Sequence, residues 1–431
     1  MSPQYRLTHN AVQTRTRQQR GWARCVASGA AIIAAIGLSG AGSVQDAEPE
    51  SQQSSIKLGM STVLSGPAAD LGQNMRLGVE AAIQEINRSG GIQGRPLELV
   101  VLDDGYEPER AAPNSHSLID DEHVLAIIGN VGTPTAVATL PIMLEHETLF
   151  FGAFTGAGIL RKDPPDRYVI NFRASYAQET AAMVDALINR AGLDPQEIGF
   201  FTQQDAYGDA GFEGGVAALK THGFIDERAI PHGRYKRNTL SIENGLADIM
   251  QSPIECKAII MVGAYAPCAK FIRMAREYGL DPIFLNVSFV GAASLAKEIH
   301  DVEADVIVTQ VVPPPSSGEP VIGSYREAIR AIDPDAAISY GSLEGYLAMR
   351  VFERGIRSID REINRESIID AIESLGEFSL GLGMEMSLSP TDHQASDRVW
   401  SSRILDGRVL PMDWSEFEKH RTLVQEAAGD E

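Results

Sequence analysis

One stretch of the sequence, residues 125–158, alternates short apolar runs with glycine-rich turns. Its two runs, Leu125–Gly129 and Leu149–Ala153, are of the kind that form buried parallel strands. Between them a helix is predicted to start, with Thr133 as the capping residue and Pro134 as the first helical residue, where no N–H is needed. The stretch therefore predicts a strand–turn–helix–strand unit, which belongs in a parallel α/β sheet.

The same alternation continues on both sides of this stretch, and it contains an internal similarity. The string LAIIGNVGTPTAVATL is similar to KAIIMVGAYAPCAKFI, with Pro134 matching Pro267 at the start of a helix. Chance similarity between two generic βα units is the alternative explanation. We predict an α/β fold of two Rossmann-like, doubly wound lobes whose carboxyl-end turns face each other across a cleft. A further strand is predicted at 168–173 and a terminal hairpin at 399–412.

Charge and motifs exclude several classes of function. The chain has 431 residues, enough for two domains, and a net charge of −21, so nucleic acid is not an expected partner. No GxSxG, HExxH or paired CxxC motif occurs, and the histidines have no metal-ligand spacing. We therefore predict no catalytic residue, no metal ligand and no cofactor.

The first 45 residues carry five arginines and no acidic residue. The arginines precede the apolar run Val26–Leu38, and small residues follow this run. This pattern predicts a secretory signal peptide over residues 1–43 and a flexible leader over 44–55, hence a soluble exported protein. Cys256 and Cys268 remain in the exported chain. They would lie at opposite ends of one strand, too far apart for a disulfide, so free thiols are expected.

Four strings along the chain resemble the periplasmic leucine/isoleucine/valine-binding proteins of ATP-driven importers. They are LSGPAADLGQNMRLGVEAAIQEINRSGGIQGRPLELVVLDDGYEPERA, IIGNVGTPTAVATLPI, DAYGDAGFEGG and GAYAPCAKFIRMARE. The resemblance covers about residues 56–412. It implies a type I periplasmic binding fold, with lobes joined by three hinge crossovers, and ligand delivery to a membrane permease. The predicted division is lobe 1 at 56–173 plus 313–385, lobe 2 at 174–312 plus 386–415, and an acidic tail at 416–431.

The helix start at Thr133 offers free backbone N–H groups, a hydroxyl and a positive dipole end, which suit a carboxylate. Capping of the helix alone is the alternative role for Thr133. The resemblance implies that Thr133, Ala153 and Thr155 hold the ligand carboxylate and that Tyr265 closes over the ligand. Tyr106 is a candidate aromatic wall of the same site.

Two positions depart from the family pattern. Leu71 stands where the family has an aromatic residue, and Ser288 stands where its amino-acid binders have a carboxylate that pairs with the ligand ammonium. A buried cation without an anion is costly, so either another acid replaces that carboxylate or the ligand has no ammonium. Asp205 is the nearest candidate acid by turn position, and capping of the helix that follows it is the alternative role. The resemblance therefore implies a branched-chain amino acid or a related small carboxylate as the ligand.

The sequence therefore predicts a monomeric solute-binding protein of an ABC importer, with a small-molecule carboxylate or amino acid and a membrane permease as partners. A ligand sensor for a signalling receptor is the alternative, because it would use the same two lobes. An exported enzyme is a remote alternative.

Overall fold

The computed structural model describes residues 54–224 and 226–418. The predicted signal peptide, most of the leader and most of the acidic tail lie outside this part of the chain. The strands are β1 Ile56–Thr62, β2 Leu97–Asp103, β3 Ala126–Ile128, β4 Leu149–Phe151, β5 Val169–Ile170, β6 Ile198–Gln203, β7 His232–Tyr235, β8 Ala258–Val262, β9 Ile283–Asn286, β10 Val306–Gln310, β11 Gly376–Phe378, β12 Met386–Leu388, β13 Trp400–Leu405 and β14 Arg408–Met412. The helices are α1 Ala69–Arg88, α2 Pro108–His116, α3 Thr133–Glu145, α4 Tyr176–Asp185, α5 Ala206–Thr221, α6 Glu243–Met250, α7 Tyr265–Glu277, α8 Ala292–Glu298, α9 Pro320–Ile332, α10 Tyr340–Arg357 and α11 Arg365–Glu373.

The first lobe is built on a parallel sheet in the order β2-β1-β3-β4-β5. One face packs against α1, α9, α10 and α11, where Leu58 of β1 and Leu347 of α10 share a buried cluster. The other face packs against α3, where Ile127 and Leu140 share a second cluster. Because helices cover both faces, the strands β3, β4 and β5 are apolar and buried throughout rather than alternating, as the sequence pattern indicated.

The second lobe is built on a sheet in the order β14-β13-β10-β9-β8-β6-β7. Its strands are parallel except for β13 and β14, which form an antiparallel hairpin on one edge. The doubly wound α/β fold and the terminal hairpin are both confirmed. The repeated units correspond to β3–α3 and β8–α7, whose helices begin at Thr133 and Tyr265.

Three segments cross between the lobes, before α4, after β10 and after β12. The first and third are bonded to each other, since the Asn171 N–H donates to the His393 carbonyl at 2.7 Å and the Ala395 N–H donates to the Asn171 carbonyl at 2.9 Å. These bonds explain why β5 ends at Ile170, earlier than predicted. β12 pairs with β11 and packs in the first lobe, so the third crossing begins after Leu388 rather than at 386.

Cys256 and Cys268 are buried free thiols, which confirms that prediction. Burial raises the pKa of Cys256 to about 11, so this thiol stays protonated at neutral pH. In the part of the chain that the structure describes, no helix combines the length and the apolar character needed to span a bilayer.

Candidate functional site

The carboxyl-end turns of the two sheets meet in one apolar cluster between the lobes. The ring of Phe289, in the turn after β9, lies at its centre. Its centroid is 5.9 Å from that of Tyr106 and 5.4 Å from that of Phe154, both in the first lobe, and 4.6 Å from that of Tyr207 in the second lobe. Aromatic pairs at such distances contribute about 0.5–1.5 kcal/mol each beyond burial. Phe289 therefore stabilises the contact between the lobes.

The two threonines predicted to hold a carboxylate lie side by side after β3 and β4. The hydroxyls of Thr133 and Thr155 are buried and 2.6 Å apart, close enough to hydrogen bond to each other. The prediction that Thr133 caps the helix is wrong, because Gly132 is the N-cap and Thr133 is the first helical residue. Gly132 has a φ of 107°, which glycine adopts without strain, so the helix begins one residue earlier than predicted.

A groove of about 660 Å³ between the lobes runs past Thr133. The first lobe lines it with Thr133 and the loop from Gly156 to Arg161, and the second lobe lines it with Ser175, Ala177 and one side of α5. Small-molecule sites typically measure about 300–1,000 Å³. Thr133 thus lies where a small solute could contact both lobes.

The remaining first-lobe residue of the predicted carboxylate site, Ala153, does not present its side chain there. It packs with Ile127 and Phe150 in the interior of the first lobe, and its carbonyl accepts a 2.8 Å hydrogen bond from the Thr155 N–H. Ala153 therefore supports the position of Thr155.

Tyr106 and Tyr265 lie on opposite sides of the contact between the lobes. Tyr106 is buried with a φ of 64°, uncommon for a residue other than glycine, and its hydroxyl accepts a 3.1 Å hydrogen bond from Gln203 of the second lobe. A Cβ atom on Gly132 would lie 2.1 Å from Cε2 of Tyr106, so this packing requires glycine there. Tyr265 begins α7 and is 9% exposed. Burial raises its pKa, and the nearby first-lobe Asp70 adds to that shift.

Asp205 contacts residues other than Ser288. Its carboxylate accepts hydrogen bonds from the Tyr207 N–H at 3.1 Å, capping α5, and from Gln203 at 2.8 Å. It also pairs with Arg237 at 3.0 Å. A carboxylate held in this way is already neutralised, so the structure gives Asp205 no role as the counter-charge of an ammonium.

The acid that contacts Ser288 is Glu179, the fourth residue of α4. Its carboxylate accepts hydrogen bonds from the Ser288 N–H at 2.7 Å, the Ser288 hydroxyl at 3.0 Å and the Thr309 hydroxyl. Arg173 pairs with Glu179 at 2.9 Å and also donates to the Ser288 hydroxyl. Arg173 and Glu179 are fully buried, so Ser288 is part of a buried ion-pair network.

A second acid, Glu344 of α10, completes this network at 3.5 Å from Arg173. Burial raises the pKa of Glu344 to about 7, although Arg173 opposes the shift. Burial alone would lower the pKa of Arg173, but the charges of Glu344 and Glu179 outweigh it and raise that pKa above its ordinary value. The guanidinium also lies 5.2 Å from the ring centroid of Phe154. Arg173 is therefore a permanent cation held between both lobes.

A small cavity lies on the far side of Phe154, lined by Leu71, Ser288, Gly291 and Tyr340 among others. Its volume is about 20 Å³, room for one water molecule. The predicted site residues are thus divided, with Thr133 on the large groove and Leu71 and Ser288 on this small cavity.

Comparison with known proteins decides the family. A sequence model described as periplasmic binding protein matches residues 55–408. The chain belongs to this family.

Among solved structures, the chain is similar to a possible leucine/isoleucine/valine-binding protein from Rhodopirellula baltica, with 51% identity, a TM-score of 0.83, and coverage of 86% of this chain and 100% of that one. Among curated proteins, it is 25% identical to Leu/Ile/Val-binding protein homolog 7 of Brucella suis, over 87% of this chain and 95% of the relative. It is 21% identical to the leucine-, isoleucine-, valine-, threonine-, and alanine-binding protein of Pseudomonas aeruginosa, over 74% and 82% respectively.

Several residues at the interlobe contact of this periplasmic binding protein were missed by sequence reasoning. They are Arg173, Glu179, Glu344 and Phe289. One signal was available for Arg173, a charged residue directly after the apolar run YVINF. Glu179 and Glu344 occupy helices and have no local pattern that distinguishes them from solvent-facing glutamates.

Proposed function

We propose that this periplasmic binding protein is the solute-binding component of an ABC importer and that it holds a small carboxylate between its lobes. The observation that most supports this is the buried pair of Thr133 and Thr155 hydroxyls beside the interlobe groove. The names of the similar proteins, which are binding proteins for amino acids, also support a role in solute capture.

The chemistry at the hydroxyl pair favours an anion. Each threonine hydroxyl can donate one hydrogen bond, and the first N–H groups of α3 have no partner within the helix. A carboxylate would replace the one hydrogen bond between Thr133 and Thr155 by two charge-assisted hydrogen bonds, which are roughly twice as strong as neutral ones. The helix dipole adds about 0.3–1 kcal/mol for an anion at this end.

The charges near Ser288 favour a ligand without an ammonium group. Glu179 and Glu344 are already balanced by Arg173 and by Arg161, whose pKa is lowered to about 9 by burial and by the charge of Arg173. Because these charges are already matched, the two glutamates would offer a ligand ammonium no unpaired anion, and a buried cation without one is costly. We therefore propose a carboxylate such as a 2-keto acid, with a branched-chain amino acid as the second candidate, favoured by the names of the relatives.

Ligand entry would require the lobes to separate. Phe289 packs against both lobes, and the cavity beside Ser288 has room for only one water molecule. The three crossing segments provide a hinge, and hinge closure moves lobes as rigid bodies. Small-angle scattering should show a smaller radius of gyration at saturating ligand, and identical curves would count against closure.

Calorimetric titration with leucine, its 2-keto acid and leucinamide tests the ligand class directly. We expect the keto acid to bind and leucinamide, which lacks the carboxylate, to give no heat. Binding of leucine with rejection of its keto acid would overturn the proposal that the ligand has no ammonium. Binding of leucinamide would overturn the carboxylate site.

A Thr133→Ala variant tests the position of the carboxylate. Loss of a hydrogen bond to a charged group should weaken binding by about 1.5–3 kcal/mol. Thr139→Ala is the matched control, because Thr139 is buried in the same helix and its hydroxyl donates to carbonyls of that helix, those of Thr135 and Ala136. Equal affinities of the two variants would exclude Thr133 from the site.

We further propose that the chain is monomeric, exported by residues 1–43 and without catalytic activity. Light scattering on the purified protein tests whether it is monomeric, and mass spectrometry of the exported protein tests whether residues 1–43 are removed. Unchanged recovery of the bound solute after long incubation tests the absence of catalytic activity.

A further inference from the structure

Two side chains that are one helical turn apart, His116 and Asp120, meet a third, His146, at the surface of the first lobe. His116 ends α2, Asp120 lies in the π-helical turn Ser117–Asp121 that follows, and His146 directly follows α3. Nδ1 of His116 is 3.4 Å from one carboxylate oxygen of Asp120, and Nδ1 of His146 is 3.4 Å from the other. The two imidazole rings face each other edge-on with centroids 5.4 Å apart.

We propose that His116, Asp120 and His146 form a binding site for a divalent transition-metal cation of the zinc class. All three offer ligand atoms that lie within 4.8 Å of one another. Metal–ligand bonds of about 2.0–2.1 Å in a tetrahedron place neighbouring ligand atoms about 3.3 Å apart, close to the spacing of each histidine and Asp120. Two imidazoles and one carboxylate suit Zn²⁺, Ni²⁺ or Cu²⁺ rather than Mg²⁺ or Ca²⁺, which prefer oxygen ligands.

The exposure of the site sets its coordination and its strength. The side chains of His116 and Asp120 are 50% exposed and that of His146 is 26% exposed, so water completes the coordination. Arg365 is a nearby cation, since its guanidinium donates to the His146 carbonyl at 2.8 Å and is attracted to Asp120. This charge opposes that of the metal, so we expect affinity in the micromolar range.

A bound ion would join the end of α2 to the end of α3. The other end of α3 carries Thr133, and a helix of 13 residues is about 20 Å long. The metal would therefore stabilise the first lobe without contacting the proposed solute site. The metal site is independent of the proposed function. Zn²⁺ binding does not depend on which solute the protein binds, and solute binding does not depend on which metal is bound.

Calorimetric titration of the full chain without an affinity tag, using ZnCl₂, tests the site. We expect one Zn²⁺ per chain, a higher midpoint of thermal unfolding with Zn²⁺, and at least tenfold weaker binding in His116→Ala, His146→Ala and Asp120→Asn. His300→Ala is the matched control, an exposed histidine on the second lobe that should bind Zn²⁺ as the unmodified chain does.

A second measurement makes the coordination visible. Co²⁺ in place of Zn²⁺ should give visible absorption bands that disappear in His146→Ala and persist in His300→Ala. The proposal is overturned if no Zn²⁺ binds below 1 mM, or if all variants bind it equally. Since all of these residues are exposed or near the surface, the variants should fold, and circular dichroism checks this.

Discussion

The interlobe contact has two sides, which bury polar groups in different ways. On the hydroxyl side, the neutral hydroxyls of Thr133 and Thr155 are hydrogen bonded to each other. On the charged side, Arg173 and Glu179 form an ion pair with 0% exposure. Exchanging a neutral hydrogen bond for one to a ligand costs little, whereas removing one buried charge leaves the other uncompensated. We therefore propose that the hydroxyl side binds the ligand and that the charged side supports the structure.

Arg173→Met should give the largest effect, because it leaves Glu179 charged and buried without its partner. Removing one member of a buried pair typically destabilises a protein by about 3–5 kcal/mol. Urea unfolding measures this loss. Arg273→Met is the control, because Arg273 pairs with Asp301 at the surface, where solvent screens the interaction. Equal losses in the two variants would show that the buried network is not a structural support.

Glu344→Gln should change the pH dependence of stability. The pKa of Glu344 is raised from 4.5 to about 7, so between these values the folded chain keeps a proton that the unfolded chain has released. Stability therefore falls as pH rises through this window, by about 3 kcal/mol at about 1.4 kcal/mol per pKa unit, and this loss should be absent in Glu344→Gln.

Urea unfolding at pH 4.5, 6 and 7.5 measures this difference between the two chains. Glu327→Gln, which changes an exposed glutamate on α9, is the control and should keep the slope of the unmodified chain. Parallel pH profiles for Glu344→Gln and the unmodified chain would mean that Glu344 is ionised as readily in the folded as in the unfolded state.

The two sides also differ in how far they could be predicted from the sequence. The sheets and the hydroxyl side depend on local patterns, since a buried apolar run followed by a glycine-rich turn places Thr133 and Thr155 at the ends of neighbouring strands. The charged side depends on contacts between elements that are distant in sequence. Ser288 and Glu179 are 109 residues apart, and neither has a local signal that indicates the other.

Two further features could not be predicted from the sequence for the same reason, since each depends on a contact between distant elements. Asp205 is one candidate counter-charge in the sequence, but Arg237, 32 residues further along, pairs with it once the sheet has formed. The histidines have no metal-ligand spacing in sequence, yet His146 approaches Asp120 from the end of a different helix. Local periodicity predicts elements and their ends, whereas charge pairing depends on how distant elements pack.

A double-mutant cycle of Thr133→Ala and Thr155→Val sharpens the assignment of the hydroxyl side. Each single variant should weaken binding of the keto acid by about 1.5–3 kcal/mol. If both hydroxyls bind one carboxylate, the double variant should lose measurably less than the two losses added together, because residues in one hydrogen-bond network are coupled. Calorimetric affinities of all four proteins give the coupling energy. Strict additivity would place the two hydroxyls on separate groups.

Glu107→Gln should give the smallest effect, and it tests a charged contact that, unlike the Arg173 network, is partly exposed. Glu107 of the first lobe pairs with Arg237 of the second at 2.9 Å, and Asn238 donates to it at 2.7 Å. The variant keeps an acceptor for Asn238 but removes the charge, so the closed form should lose at most about 1 kcal/mol, roughly fivefold in affinity. Because salt screens exposed pairs, the difference should shrink between 20 mM and 500 mM NaCl. Glu243→Gln is the control, since Glu243 pairs with Lys270 inside the second lobe. An affinity for Glu107→Gln equal to that of this control at low salt would show that Glu107 and Arg237 do not stabilise closure.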